Sequence, residues 1–161
     1  ENTWKGLYSL VSLLGFVLIV WGYGQARQNP VLLWAVPLWT RHLAALLMLV
    51  SFVLLTAAYV PGNSIKARLG HPMVLAVKVW AVAHLLANNT VADLLLFGAF
   101  LIWAVADFRS ARRRPPVPGA VATPVTTART LLTLAIGTAA WAMFAFWGHL
   151  ALIGVRPFGA A

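Results

Sequence analysis

Six ionisable side chains fall inside or at the edges of long apolar stretches: His42, His71, Lys78, His84, Asp93 and His149. Hydrocarbon solvates charge poorly, so such positions in a membrane chain are candidates for function. Cysteine is absent, which removes disulfides, thiolate catalysis, iron–sulfur clusters and Cys-ligated zinc. With 3 acidic residues in all, a metal site would have to be built on imidazole. The same shortage nearly excludes a paired-carboxylate mechanism. The sequence contains no Gly-x-x-x-x-Gly-Lys-Ser/Thr, Gly-x-Gly-x-x-Gly, His-Glu-x-x-His or Gly-x-Ser-x-Gly run.

Depth sorts the candidates. His84 precedes the polar pair Asn88-Asn89 by about four residues, or ~6 Å at 1.5 Å rise per residue. Asp93 follows the pair by the same distance, so the two are level across a helical hairpin. A carboxylate accepting the imidazole Nδ1–H would set the ring and leave Nε2 free for a metal. The plainer alternative makes His84 a hydrogen-bonded packing residue and Asp93 a helix-start residue, where negative charge is favoured. His149 and His42 lie toward the same side as His84. Imidazoles at one depth on different helices suit the two axial positions of a haem b. His42 equally suits an interfacial helix start.

His71 stands at the opposite side, in Gly70-His71-Pro72, where Pro72 fits a first helical turn. Lys78 lies two turns on along the same face. It either snorkels to the near surface or pairs with a buried carboxylate or a cofactor propionate. Depth disfavours Asp93 as that partner. Trp80 is one turn before His84. With Trp103, Trp141 and Trp147 it could wall a flat cofactor or polyene, or simply pack.

These side chains need elements to position them. The chain has 161 residues, one domain's worth. Hydrophobic residues make up 61% and charged residues 9%, against about 25% charged in soluble domains. A water-facing globule and a disordered chain are both excluded. Five stretches approach the ~20 apolar residues that a bilayer core of ~30 Å requires: Gly6 to Tyr23, Leu43 to Tyr59, Met73 to Ala87, Val91 to Ala106 and Leu131 to Val155. None shows the alternation of a barrel strand. The expectation is an all-α integral membrane protein, a bundle of five transmembrane helices in a single domain.

Gln25 to Thr40, with Pro30, Trp34, Pro37 and Trp39, reads as an interfacial loop. Trp4 and Trp21 likewise suit the headgroup belt. Pro61-Gly62-Asn63-Ser64 is a turn, and Asn88-Asn89 a tight link with Thr90 as N-cap. Asp107 to Arg129 reads as a flexible Arg/Pro-rich linker.

The net charge is +9. In a soluble chain it would suggest nucleic acid; here it sits in loops, and no nucleic-acid partner is expected. If the first stretch starts on side A, Lys5, Lys66, Arg68, Arg109, Arg112, Arg113, Arg114 and Arg129 lie there, whereas Arg27, Arg41 and Arg156 lie on side B. The positive-inside rule makes side A, with the linker, cytoplasmic and the C-terminus periplasmic. Arg112-Arg113-Arg114 is a topology anchor or a lipid contact.

Several separated runs resemble the NnrU family. They are Gly70-His71-Pro72-Met73, Lys78-Val79-Trp80-Ala81-Val82-Ala83-His84-Leu85-Leu86-Ala87-Asn88 and Asp93-Leu94-Leu95-Leu96-Phe97-Gly98. Trp4-Lys5-Gly6-Leu7-Tyr8-Ser9-Leu10, Tyr59-Val60-Pro61-Gly62-Asn63 and Gly154-Val155-Arg156-Pro157-Phe158-Gly159 support them. The likeness covers essentially the whole chain outside the Arg/Pro linker. It implies a bacterial inner-membrane protein associated with denitrification and nitric oxide metabolism, without an assigned chemistry. The family is related to plant zeta-carotene isomerase, a haem b enzyme that isomerises a cis double bond of a polyene when its iron is reduced.

A ligand histidine of that relative falls in the segment matching Ala83-His84, which implies His84 as the haem ligand here. The other lies in a helix upstream of Trp4, so a sixth, N-terminal helix is expected before this chain's first residue. Otherwise His42 or His149 supplies the second position, or the site is empty. The relative has a Cys just before its ligand; Val82 and Ala83 occupy that region here, so a thiolate switch cannot operate. Asn89 stands where relatives are expected to have Gly. Asn tolerates the left-handed region, so the turn should survive.

Three functions follow as expectations. The first is a haem-b-binding redox or isomerase-type protein acting on a hydrophobic polyene or pigment. The second is a non-catalytic accessory or assembly subunit of a larger membrane complex, binding lipid or pigment. The third rests on a likeness of His-Pro at a helix start to isoprenylcysteine methyltransferases. It ranks last, because those enzymes use Glu and Arg pairs near the C-terminus and no acid follows Asp107.

Overall fold

The computed structural model describes residues 2–115 and 123–158. Among them there is no β-strand, only one isolated bridge between Leu32 and Thr90. The helices are α1 (Asn2–Ala26), α2 (Leu38–Tyr59), α3 (Ser64–Leu69), α4 (Pro72–Ala87), α5 (Val91–Arg113), α6 (Thr127–Met143) and α7 (His149–Ile153). A π-helical turn, Phe144–Gly148, joins α6 to α7.

Four helices are long and apolar enough to cross a membrane: Thr3–Ala26, Leu38–Tyr59, Val91–Arg113 and the continuous run Thr127–Ile153. The expected five-helix count is met only in part. Pro72–Ala87 has 16 residues, ~24 Å at 1.5 Å each, and falls short of a ~30 Å core. Pro72 at its first position and the extended Asn88 at its end limit its length.

Two boundaries differ from the sequence expectation. The loop after α1 is shorter than Gln25 to Thr40, because α2 begins directly after Pro37, whose φ of −64 feeds a helix. The linker is shorter too, since α5 continues through Asp107 to Arg113. Residues 116–122, where flexibility is expected, fall outside the described residues.

α2 is the hub, packed between α4 and α6, and α5 packs on the far side of α4. Close approach rests on small residues. Ala57, Ala81, Ala83 and Ala104 are fully buried, the pattern of helix pairs in lipid, where backbones gain contact by coming close. Ser51 Oγ donates across to Ala76 O at 2.8 Å, tying α2 to α4. At Gly137 an added Cβ would lie 2.7 Å from Val53 Cα, so α6 meets α2 backbone to backbone there.

The side-A turn has a buried latch. Asn63 accepts from Lys66 N and donates to Ala57 O, while Thr126 N donates to Gly62 O at 3.0 Å. Gly62 has φ +68, and a Cβ there would meet Pro124 O at 2.6 Å. At side B, Leu33 N donates to Asn89 O and Val91 N to Val31 O, so the first loop crosses the α4–α5 turn. No non-Gly residue among those described has positive φ. The turn survives with Asn89, but without the left-handed conformation expected of it, because loop backbone and the Asn89 side chain (to Trp34 O, 2.6 Å) close it.

Candidate functional site

The site is built at the side-B end, where α1, α4 and α6–α7 finish and α5 starts. Thr90 caps α5 as expected: its hydroxyl accepts from Asp93 N, and Asp93 Oδ2 accepts from Thr90 N, both at 3.1 Å. Asp93 is buried at 6% exposure. Its other oxygen accepts from the Tyr23 hydroxyl at 2.6 Å. The carboxylate is thus occupied by the cap and by α1. It does not accept from His84, contrary to the level-hairpin expectation.

His84 uses its own helix instead. Its Nδ1 lies 2.9 Å from Trp80 O. A carbonyl only accepts, so Nδ1 carries the proton and the Nε2 lone pair is left open. The imidazole stacks on Phe97 (centroids 4.5 Å, 28°) and against Trp80 (5.0 Å). Trp80 in turn meets Phe97 and Phe100 edge-on. Ring contacts on two sides hold the His84 imidazole at a set angle.

His149 has the same internal arrangement. The π turn delivers it from α6, and its Nδ1 lies 2.7 Å from Val155 O, so its Nε2 is open as well. Its ring meets Phe144 edge-on at 5.7 Å. Both His149 and Asp93 lie within electrostatic reach of His84. A cavity of about 250 Å³ lies between α2, α4 and the π turn. Trp80 and Phe144 are two of its walls, and these are the rings that contact His84 and His149 respectively.

The other expected site residues lie elsewhere. His42 is exposed as the fifth residue of α2 and joins no ring contact or hydrogen bond of this layer. His71 is at the opposite end, edge-on to Phe108 at 6.3 Å. Lys78 reaches that same ring, its Nζ 4.6 Å from the centroid. It pairs with an aromatic face rather than with a carboxylate, because Phe108 comes within reach on α5 and no acid does. Of the tryptophans proposed as walls, Trp103 and Trp147 point outward, 53% and 71% exposed. Trp141 meets Phe146 and Phe158 instead. Trp80 alone borders His84.

No group of three or more His, Asp or Glu side chains among the described residues is arranged to hold a metal ion. A three-ligand site of the zinc type is therefore not formed there, whereas a haem can be held by one or two imidazoles. Tyr23, Phe97, Phe108 and Phe144 were not read as site residues from the sequence. Counting depth could have found Tyr23, since it ends α1 on the side where Asp93 begins α5. The phenylalanines carry no signal in a chain this apolar.

A family model described as NnrU protein matches residues 1–157. The chain belongs to the NnrU family. No curated protein and no solved structure matches it significantly. The ring cluster of His84, Trp80 and Phe97 lies on two of the segments that resemble the family. His149 lies outside them.

Proposed function

We propose that this NnrU protein binds haem b toward the side-B end of the bundle, where His84 and His149 would hold it. One observation carries the proposal. Both imidazoles give Nδ1–H to a backbone carbonyl and keep Nε2 open, the tautomer an iron ligand needs. Their contact rings are walls of one cavity. That donor chemistry fits the group. Bound there, haem b would supply a one-electron redox centre in an apolar setting.

The protein's own residues would do the rest. Trp80 O and Val155 O orient the two rings. Phe97 and Trp80 limit rotation of His84. Phe52 and Phe144, 5.7 Å apart, would give the cavity apolar aromatic walls. The function proposed is that of a redox or isomerase-type protein on a hydrophobic polyene, linked to denitrification or nitric oxide metabolism. We place it in the bacterial inner membrane, with residues 107–129 cytoplasmic and the C-terminus periplasmic.

A second reading is favoured by α1. None of its membrane-length window is buried, and it touches the bundle mainly through Tyr23. A helix so bare suits an accessory or assembly subunit that meets lipid, pigment or a larger membrane complex. A reduced-minus-oxidised absorption spectrum of the full chain, with His84→Ala alongside, separates the two. Sharp α and β bands lost in the variant support haem b. Flat spectra in both leave the accessory subunit.

A further inference from the structure

The side-A end of α4 and α5 holds a group of cations that haem binding does not use. Lys78 Nζ lies 4.6 Å over the Phe108 ring, and the Arg112 guanidinium carbon 5.7 Å from it. His71 meets the same ring edge-on. Three basic side chains, from α4, its cap residue and α5, converge on one phenyl group. The ring's quadrupole offsets only part of two positive charges. Of the two described carboxylates, Asp93 is at the other end and Asp107 lies 3.7 Å from Arg114. The cluster therefore has no carboxylate of its own among the described residues.

Two further features mark the kind of counter-charge that fits. The cluster adjoins the N-terminus of α4, a 16-residue helix whose cap residue, His71, offers its first-turn amides no side-chain acceptor. Pro72 has no N–H and Leu75 N bonds His71 O, so the free amides are those of Met73 and Val74; at the positive end of the helix dipole they favour a phosphate or carboxylate. Leu69 and Met73 beside it expose 41% and 42% of their surface. An occupant of this place must be anionic at the helix end and apolar alongside.

We propose that Lys78, Arg112, His71 and the first turn of α4 bind the phosphate of an anionic phospholipid, with its acyl chains along the apolar flank. Lys78, half-buried, supplies the inner charge. Arg112, exposed on the last turn of α5, closes over the phosphate from outside.

The test is native mass spectrometry of the full chain released from phosphatidylcholine vesicles doped with phosphatidylglycerol. The wild type should retain phosphatidylglycerol in preference to phosphatidylcholine. Lys78→Met with Arg112→Gln should lose that preference by roughly tenfold or more, as expected for two cations near a headgroup. Arg113→Gln with Arg114→Gln removes the same charge from the two residues that follow Arg112 and should keep it, as should Lys78→Arg. Equal loss in the charge-matched pair would overturn the site in favour of diffuse surface attraction. Displacement of the lipid by free glycerol phosphate at equal concentration would overturn the lipid in favour of a soluble phosphate ester. If the double variant does not fold, Arg112→Gln alone decides: a several-fold loss supports the site, and unchanged retention refutes it.

Discussion

His84 and His149 are alike at the level of single atoms: each has its Nδ1 fixed by a backbone carbonyl and its Nε2 open. That symmetry yields a prediction about ligand field. With haem bound, the wild type should give the low-spin electron paramagnetic resonance signal of two imidazoles. His149→Ala should convert it to a high-spin signal that added imidazole reverses, and His84→Ala should lose most of the haem. His42→Ala should change neither. A low-spin signal that survives His149→Ala would place the second ligand elsewhere. The Tyr23 hydroxyl bond to Asp93 also belongs at this scale. Interhelical hydrogen bonds in bilayers contribute about 0.6–2 kcal/mol. Tyr23→Phe should therefore loosen α1 selectively, seen as faster hydrogen exchange near residues 24–30 while amides of α2 and α4 keep their protection. A uniform rise would mean that the bond supports the whole bundle.

Among the elements, the α2–α6 contact is the one a single methyl group should break. Gly137 has Val53 Cα 2.7 Å from where its Cβ would be, whereas Gly98 has nothing within 4 Å. Both are helical, so the intrinsic helix propensity gained on substitution is similar. Gly137→Ala should destabilise by about 1–3 kcal/mol, the usual cost of overpacking, and Gly98→Ala should be neutral or slightly stabilising. Unfolding in mixed micelles of dodecyl sulfate checks the pair. Equal behaviour would show that α6 can move away from α2 at little cost. The π turn matters for the same helix, because the extra residue in its ring turns the register just before His149.

For the whole molecule, the ends of the helices define two faces. Residues near 62–64 and 124–126 bond to one another at one end; residues 31–33 and 89–91 do so at the other. The chain has no native cysteine, so single cysteines report position without background. Cysteines at Ser64 and Ser110 should react with an impermeant maleimide from one side of the membrane, and those at Gln28 and Arg156 from the other. That pattern requires the 16-residue α4 to cross, with bilayer thinning or its capped ends making up the missing length. Labelling of Ser64 and Ser110 from opposite sides would remove the α4 crossing.

How much of this was legible beforehand differs by kind of fact. Charge content and apolar runs are sums over neighbours in the chain, so membrane character, the approximate helices, the Thr90 cap and the Pro61–Ser64 turn could all be read locally. Gly70-His71-Pro72 and the Lys78–Asn88 run likewise carried the family. Helix ends were less legible: a helix such as α5 continues through charged residues to Arg113 as readily as it ends at the last apolar one, and α2 begins as soon as Pro37 permits. Partner choice was not legible, because it depends on helix rotation and crossing. Asp93 was level with His84 in sequence, yet the packing of α1 gives its second oxygen to Tyr23. Lys78 needed an anion or an exit on paper, and the approach of α5 gave it Phe108. His149 resembled any imidazole near a helix end until the π turn and the Val155 carbonyl set its tautomer. Local free energies determine where helices form; which side chains meet is decided only when the helices settle against each other.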